Sequence, residues 1–289
     1  MSDPAVGPDR TVVAPVDGTA DGERALALAD VAARRLGATL ELFHVVRPAP
    51  PLTVDPPLVT PTADAATLAL ARADALESGT AYLEALRRRV SLGAPVRTRL
   101  AEGDPAHAIV ARAREHDAAL LVLPTHARGL LARALLGSVA MPVARDAPVP
   151  VLLVPPGTPA HVAESWPAYV VCATEGDPSA ERALAEVASL CVPGAQAAIL
   201  TVVDPTVAPV EPDRLAARLR AAGLAVVAEE AAHGRTARAI TEIATEEGAE
   251  LLALATHPRH GRVERLLEGS VAAAVVHRAP CPVWLTHAG

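Results

Sequence analysis

Two stretches carry residue types suited to holding an anion. Thr125-His126-Ala127-Arg128-Gly129 is followed, after a short apolar spacer, by Gly137-Ser138-Val139. Hydroxyls, an imidazole and a guanidinium can all donate to phosphate oxygens, and a Gly-Ser step before a helical pattern presents free amide groups at the positive end of a helix. The set recurs as Thr256-His257, then Gly261, then Gly269-Ser270-Val271. Each has a plainer reading. Ser138 and Ser270 are good N-caps without any ligand, His126 and His257 can be loop histidines bonded to backbone, and Arg128 can simply face solvent.

These loops need a scaffold, and the flanking patterns supply one. Leu120-Leu121-Val122-Leu123 and Leu251-Leu252-Ala253-Leu254 are short buried runs that read as strands leading into the loops. Thr11–Val16 reads as the first strand, turning at Asp17-Gly18 into a helical pattern whose face is Leu26, Ala29, Ala33 and Leu36, with Gly37 at the left-handed cap. Strands follow at 40–46 and 96–100, a helix capped by Asp104-Pro105 runs to about His116, and a fifth strand covers 148–154. Pro150 and Pro282, read as lying early in the fifth strands, predict that those strands sit on sheet edges. Six prolines over 48–61 make a stiff surface connection or a lid above the sheet, and a long helical pattern begins at Thr62.

The pattern occurs twice. An offset of 158 carries Val12-Val13 onto Val170-Val171, Asp17-Gly18 onto Glu175-Gly176, and Glu23–Leu26 onto Glu181–Leu184; further on, an offset of 131 pairs Ile109 with Ile240 and Leu120 with Leu251. The chain is therefore a tandem duplication, predicted as a domain over 1–155, a linker over 156–167 and a second domain over 168–289. Strands alternating with helices give an α/β fold, a doubly wound parallel sheet in each half. With 51% hydrophobic but 2% aromatic residues, the cores must be built of Ala, Val and Leu.

Composition removes several functions. A net charge of -7 argues against nucleic-acid and anionic-membrane partners. The start of the chain shows no cationic segment followed by an apolar run, and no stretch approaches a membrane span, which predicts a soluble cytoplasmic protein. Cys172, Cys191 and Cys281 have no metal-ligand spacing. Every basic residue is Arg, with no Lys in the chain, so a Walker loop, a kinase site and Schiff-base chemistry are excluded. No nucleophile elbow, paired carboxylates or metal cluster is visible, which predicts a protein that is not an enzyme.

In an open α/β sheet the ligand lies beyond the carboxyl ends of the strands, where strand order reverses. If the first strand is central, a nucleotide across that crevice meets Asp17 at one end and Gly137-Ser138 at the other; otherwise Asp17 is a turn residue ahead of a helix.

Taken in order, Val-Val-Ala-Pro-Val-Asp-Gly-Thr at 12–19, the Thr-His and Arg-Gly loop, Gly137-Ser138-Val139 and Ala-Pro-Val-Pro-Val at 147–151 resemble the universal stress protein family, and both halves carry the likeness. The resemblance implies Rossmann-like halves, each with five parallel strands in the order 3-2-1-4-5. It also implies pairing through the fifth strands within the chain, a further homodimer, and adenine nucleotide, ATP with Mg, as ligand. The residues implied at the two sites are Asp17, Thr125, His126, Arg128, Gly129, Gly137, Ser138 and Val139, and Glu175, Thr256, His257, Gly269 and Ser270. Nucleotide-binding members carry Gly, two spacers, Gly, nine spacers, then Gly-Ser or Gly-Thr. Here the first two glycine positions hold Pro124 and Ala127, and in the second half Thr256 and Arg259. Losing one or two hydrogen bonds to a charged group, about 1.5–3 kcal/mol each, weakens binding about ten- to a thousand-fold. The expectation is therefore a non-catalytic stress protein with weak nucleotide binding in the first half, against two alternatives, a ligand-free interaction scaffold and a slow ATP hydrolase.

Overall fold

Continuous runs of Val, Leu and Ala form strands covered on both faces, and the amphipathic stretches between them form the covering helices. The computed structural model describes residues 10–48, 65–90, 92–115, 117–125, 137–159, 162, 164–174, 177–202, 213–232, 236–256 and 271–287. In the N-terminal half β1 (Thr11–Val16) leads to α1 (Ala20–Glu23) and α2 (Leu26–Leu36), then β2 (Thr39–Val46), α3 (Ala65–Arg89), β3 (Val96–Glu102), α4 (Pro105–Ala113), β4 (Ala118–Pro124), α5 (Ala140–Asp146) and β5 (Val151–Val154). In the C-terminal half β6 (Tyr169–Thr174) leads to α6 (Pro178–Ala185) and a short 3-10 turn, then β7 (Gln196–Val202), α7 (Asp213–Ala221), β8 (Ala225–Ala232), α8 (Thr236–Glu246), β9 (Leu251–Thr256), α9 (Val271–Arg278) and β10 (Val283–His287).

Within each half the strands are parallel and follow the expected order, β3-β2-β1-β4-β5 and β8-β7-β6-β9-β10. Strand order reverses between β1 and β4, which opens the crevice at their carboxyl ends. The two sheets are not separate. β5 and β10 pair antiparallel through Val151↔Leu285, Leu152↔Trp284 and Leu153↔Val283, giving one ten-stranded sheet. The fifth strands thus lie inside the sheet and not on its edge, because each strand begins one residue after its proline. Pro150 and Pro282 contribute only carbonyls, which accept from Leu121 N and Leu252 N at 3.0 Å each, so no ladder donor is lost.

Side chains alternate between two cores. Val12, Ala14 and Val16 of β1 face a layer with α2, α3, α6 and α7, while Val13 faces α4, α5, α8 and α9. Both layers run across the seam, where Leu152 and Trp284 share one core and Leu153 and Val283 the other. Helix starts and stops follow local chemistry. Asp104 accepts the His107 amide at 3.0 Å with Pro105 in the first turn, and Gly37 closes α2 at φ 59°. The first helical pattern divides in two. The Thr19 cap starts α1, and the turn at Arg24-Ala25 redirects the chain so that α2 buries Leu26, Leu28 and Ala29. Helix α4 ends at Ala113 instead of near His116, which lies outside the described residues. Most of the proline-rich connection, 49–64, also lies outside them.

Candidate functional site

At the β1/β4 reversal point the carboxyl ends of the strands enclose a cleft of about 580 Å³, within the range of small-molecule sites. Asp17 and Gly22 stand at one side, His44 and Arg47 come from β2 and its exit, Pro105 and Ile109 from the start of α4, and Pro124 with Gly137–Ala140 from β4 and α5. Asp17, Gly137, Ser138 and Val139 are therefore neighbours in one crevice, although 120 residues separate Asp17 from Gly137.

Each wall has a local cause. Gly18 turns the chain after β1 at φ 80°, and Asp17 Oδ1 accepts the Thr19 amide at 3.0 Å and the Thr19 hydroxyl at 2.6 Å. Thr19 Oγ1 in turn accepts the Gly22 amide at 3.0 Å. Opposite, α5 starts at Ala140 with Val139 as its N-cap and no side-chain cap bond, so the helix does not use the exposed Ser138 as its cap. The first amides of such a turn lack intrahelical partners and present a weak positive field to the cleft. Pro124, a lining residue at the end of β4, carries no N–H and so offers the cleft no backbone donor.

Thr125 is not among the residues that line this cleft. It is buried, its amide donates to Val154 O at 2.8 Å and its hydroxyl to the same oxygen at 3.3 Å, tying the end of β4 to β5. Thr256 ends β9 in register with His287. His126, Arg128, Gly129, Glu175, His257, Gly269 and Ser270 lie outside the described residues, as do Ala127 and Arg259.

His44 and Arg47 are cleft residues that loop motifs do not reveal. Their signal is positional: β2 neighbours β1, so the residues at its carboxyl end must border the same crevice. His44 Nδ1 lies 2.7 Å from Val16 O, and because a carbonyl only accepts, Nδ1 carries the proton. Tyr82 packs edge-on against this ring at 5.3 Å between centroids, and its hydroxyl donates to Glu23 at 3.1 Å. Burial, reinforced by the Glu23 carboxylate, pushes the Tyr82 phenol well up, so it stays a donor. Arg47 is the one guanidinium among the described lining residues and the natural counter-charge for an anion there.

The most perturbed charges lie elsewhere, at the amino ends of the strands. Arg112 and Glu41, both almost fully buried, pair at 2.6 Å, and Arg112 also donates to Asp117 at 2.9 and 3.0 Å. Arg97 bridges the same two carboxylates at 2.7 and 2.6 Å. Burial opposes ionisation of Asp117, but hydrogen bonds from Arg112, Thr11 and Arg97 outweigh it and hold the carboxyl far below its ordinary range. This network anchors α4 to the sheet, and it is remote from the cleft. Burial also raises the thiols, Cys191 and Cys281 to about 12, so they carry no thiolate at neutral pH. Among the described residues no group of three or more His, Cys, Asp or Glu could hold a metal, and no helix is long and apolar enough to cross a membrane.

Comparison with known proteins agrees with this architecture. The family model of the universal stress protein family matches residues 9–155 and 211–287. A Thermus aquaticus protein described as the universal stress protein in the QAH/OAS sulfhydrylase 3' region is 31% identical over 145 residues, 50% of this chain and 98% of that protein. A universal stress protein from Archaeoglobus fulgidus DSM 4304 superposes with TM-score 0.66 at 17% identity, covering 96% of each chain. A Pseudomonas aeruginosa UCBPP-PA14 protein does so with TM-score 0.54 at 18% identity over 96% of this chain and 93% of that one. At such identities the structural likeness concerns the fold, while the family match rests on more than half of the sequence. With that match over more than half of its length and the strand order repeated in both halves, the chain belongs to the universal stress protein family.

Proposed function

We propose that this chain is a non-catalytic, cytoplasmic stress-response protein whose N-terminal domain, residues 1–155, binds an adenine nucleotide weakly, as ATP with Mg. The observation that carries this reading is the cleft that Asp17 shares with the start of α5 at Gly137–Ala140 across the strand reversal. Asp17 suits the hydroxyl and amino groups of a nucleoside, and the α5 amides with Ser138 suit phosphate oxygens. His126, Arg128 and Gly129 complete the phosphate side, and Thr125 supports it by fixing the end of β4. In the second domain, 168–289, the corresponding set is Glu175, Thr256, His257, Gly269 and Ser270. The linker is 156–167, and the domains stay together through their fifth strands, with a homodimer of the whole chain as the larger assembly.

A second reading, a ligand-free interaction scaffold, is favoured by Pro124, which removes one backbone donor from the phosphate side. Titration calorimetry with ATP and magnesium separates the two. Binding in the high micromolar to millimolar range without turnover is expected; no heat at millimolar ligand leaves the scaffold, and steady phosphate release leaves a slow hydrolase. Gly137→Val fills the cleft beside the α5 amides and is expected to abolish binding while the apo melting temperature changes little. Undiminished binding by that variant removes the crevice from consideration.

A further inference from the structure

Asp17 meets the first turn of α1 at a glycine. A Cβ built on Gly22 would lie 2.2 Å from Asp17 Oδ1 and 3.1 Å from its Cγ, well inside van der Waals contact. Gly22 is buried within α1 and lies outside the left-handed region, so the glycine supplies space for a neighbour and not backbone freedom. Glycine inside a helix is unfavourable on its own account. What occupies that space is a carboxylate oxygen already held by Thr19.

The internal repeat provides a comparison within the same molecule. The offset of 158 that aligns Glu23 with Glu181 also aligns Thr19 with Asp177 and Gly22 with Ala180. Asp177 caps α6 directly, its Oδ1 accepting the Ser179 amide at 2.8 Å and the Ala180 amide at 3.1 Å. Ala180 is buried at 2% exposure. Both helices are capped, but the position that is Gly22 in the first half carries a methyl in the second.

We propose that Gly22 is the positioning residue for Asp17, its missing side chain leaving the space in which the carboxylate lies against Thr19 beside the cleft. Its consequence for ligand binding rests on the nucleotide reading given above. The Gly22 space and the Thr19 donors together set the carboxylate beside the cleft before any ligand arrives, which spares the ligand the cost of ordering it.

Gly22→Ala tests this in the full-length protein. The group displaced is the end of a flexible side chain, so the variant is expected to fold. The Thr19 amide, which donates to Asp17 Oδ1, reports the position of the carboxylate without any nucleotide. Its hydrogen-exchange protection is expected to drop in Gly22→Ala to the level of Asp17→Ala. With ATP, Gly22→Ala is expected to bind about tenfold or more weakly, matching Asp17→Ala, and the double variant no more weakly than Asp17→Ala alone. An unchanged Thr19 amide in Gly22→Ala overturns the positioning role, whatever ATP does. Additive losses in the double variant overturn the route through Asp17. Absence of ATP heat with wild type removes the nucleotide reading alone, since the Thr19 amide still decides the position of Asp17.

Discussion

Arg112 illustrates how a single side chain can dominate stability without touching the cleft. Its side chain is 1% exposed and contacts Glu41 and Asp117, so its removal leaves a buried carboxylate short of donors. Arg97 still reaches both acids, which places Arg112→Met near the lower end of the range for broken buried pairs, about 3 kcal/mol at pH 7 by urea unfolding. The pH dependence has a definite sign. Asp117 ionises in the folded protein well below its unfolded value, so its contribution is complete above about pH 4 and declines as pH falls toward the folded value. The difference between wild type and Arg112→Met is therefore expected to be larger at pH 7 than at pH 3. A difference equal at both values shows that Asp117 is not coupled to Arg112. Residues of this kind were invisible in the sequence, because Glu41, Arg97, Arg112 and Asp117 share neither spacing nor repeat. Asp17, Gly137 and Ser138 were legible for the opposite reason, each lying at a strand-to-helix step repeated in pattern. His44 and Arg47 required the strand order first, and Gly22 required the direction of the Asp17 side chain.

The elements themselves were largely written in local chemistry. Strands buried on both faces cannot alternate apolar with polar residues, so β1 and β4 declare themselves as continuous runs, and caps such as Asp104 and Gly37 fix the helix ends. Asp104→Ala removes the side chain that accepts the His107 amide at the start of α4 and is expected to cost about 1 kcal/mol in urea or thermal unfolding. A cost indistinguishable from zero means that Pro105 and the buried Ile109 and Val110 suffice to start the helix. Local chemistry misleads where a boundary falls one residue from the expected one. Pro150 signals an edge strand only if it lies within the ladder, and β5 begins at Val151. Ser138 signals an N-cap only if α5 starts directly after it, and Val139 takes that place. Such shifts are set by packing of Ala140, Val143 and Ala144 under the sheet, which no local preference encodes.

At the scale of the whole molecule the pairing of β5 with β10 decides whether the repeat acts as one body. Only three residue pairs form that ladder, but Trp284, 2% exposed, packs with Leu152 and Val154 in a core drawn from both halves. The covalent connection adds a second tie, since Arg34 holds Glu164 through two bonds of 2.8 and 2.6 Å at the surface. Exposed pairs of this kind contribute about 0–1 kcal/mol, whereas truncating a buried Trp to Ala costs about 3–5 kcal/mol, so the seam should outweigh the connection. A protease site placed at the exposed Gly157 tests this directly. After cleavage the two pieces are expected to co-elute as one species of unchanged size in gel filtration, and to separate only when Trp284→Ala is added. Separation of the nicked wild-type chain assigns the cohesion to the connection instead. In that case the shared cores are a consequence of tethering, and the ten-stranded sheet has to be regarded as two sheets held side by side.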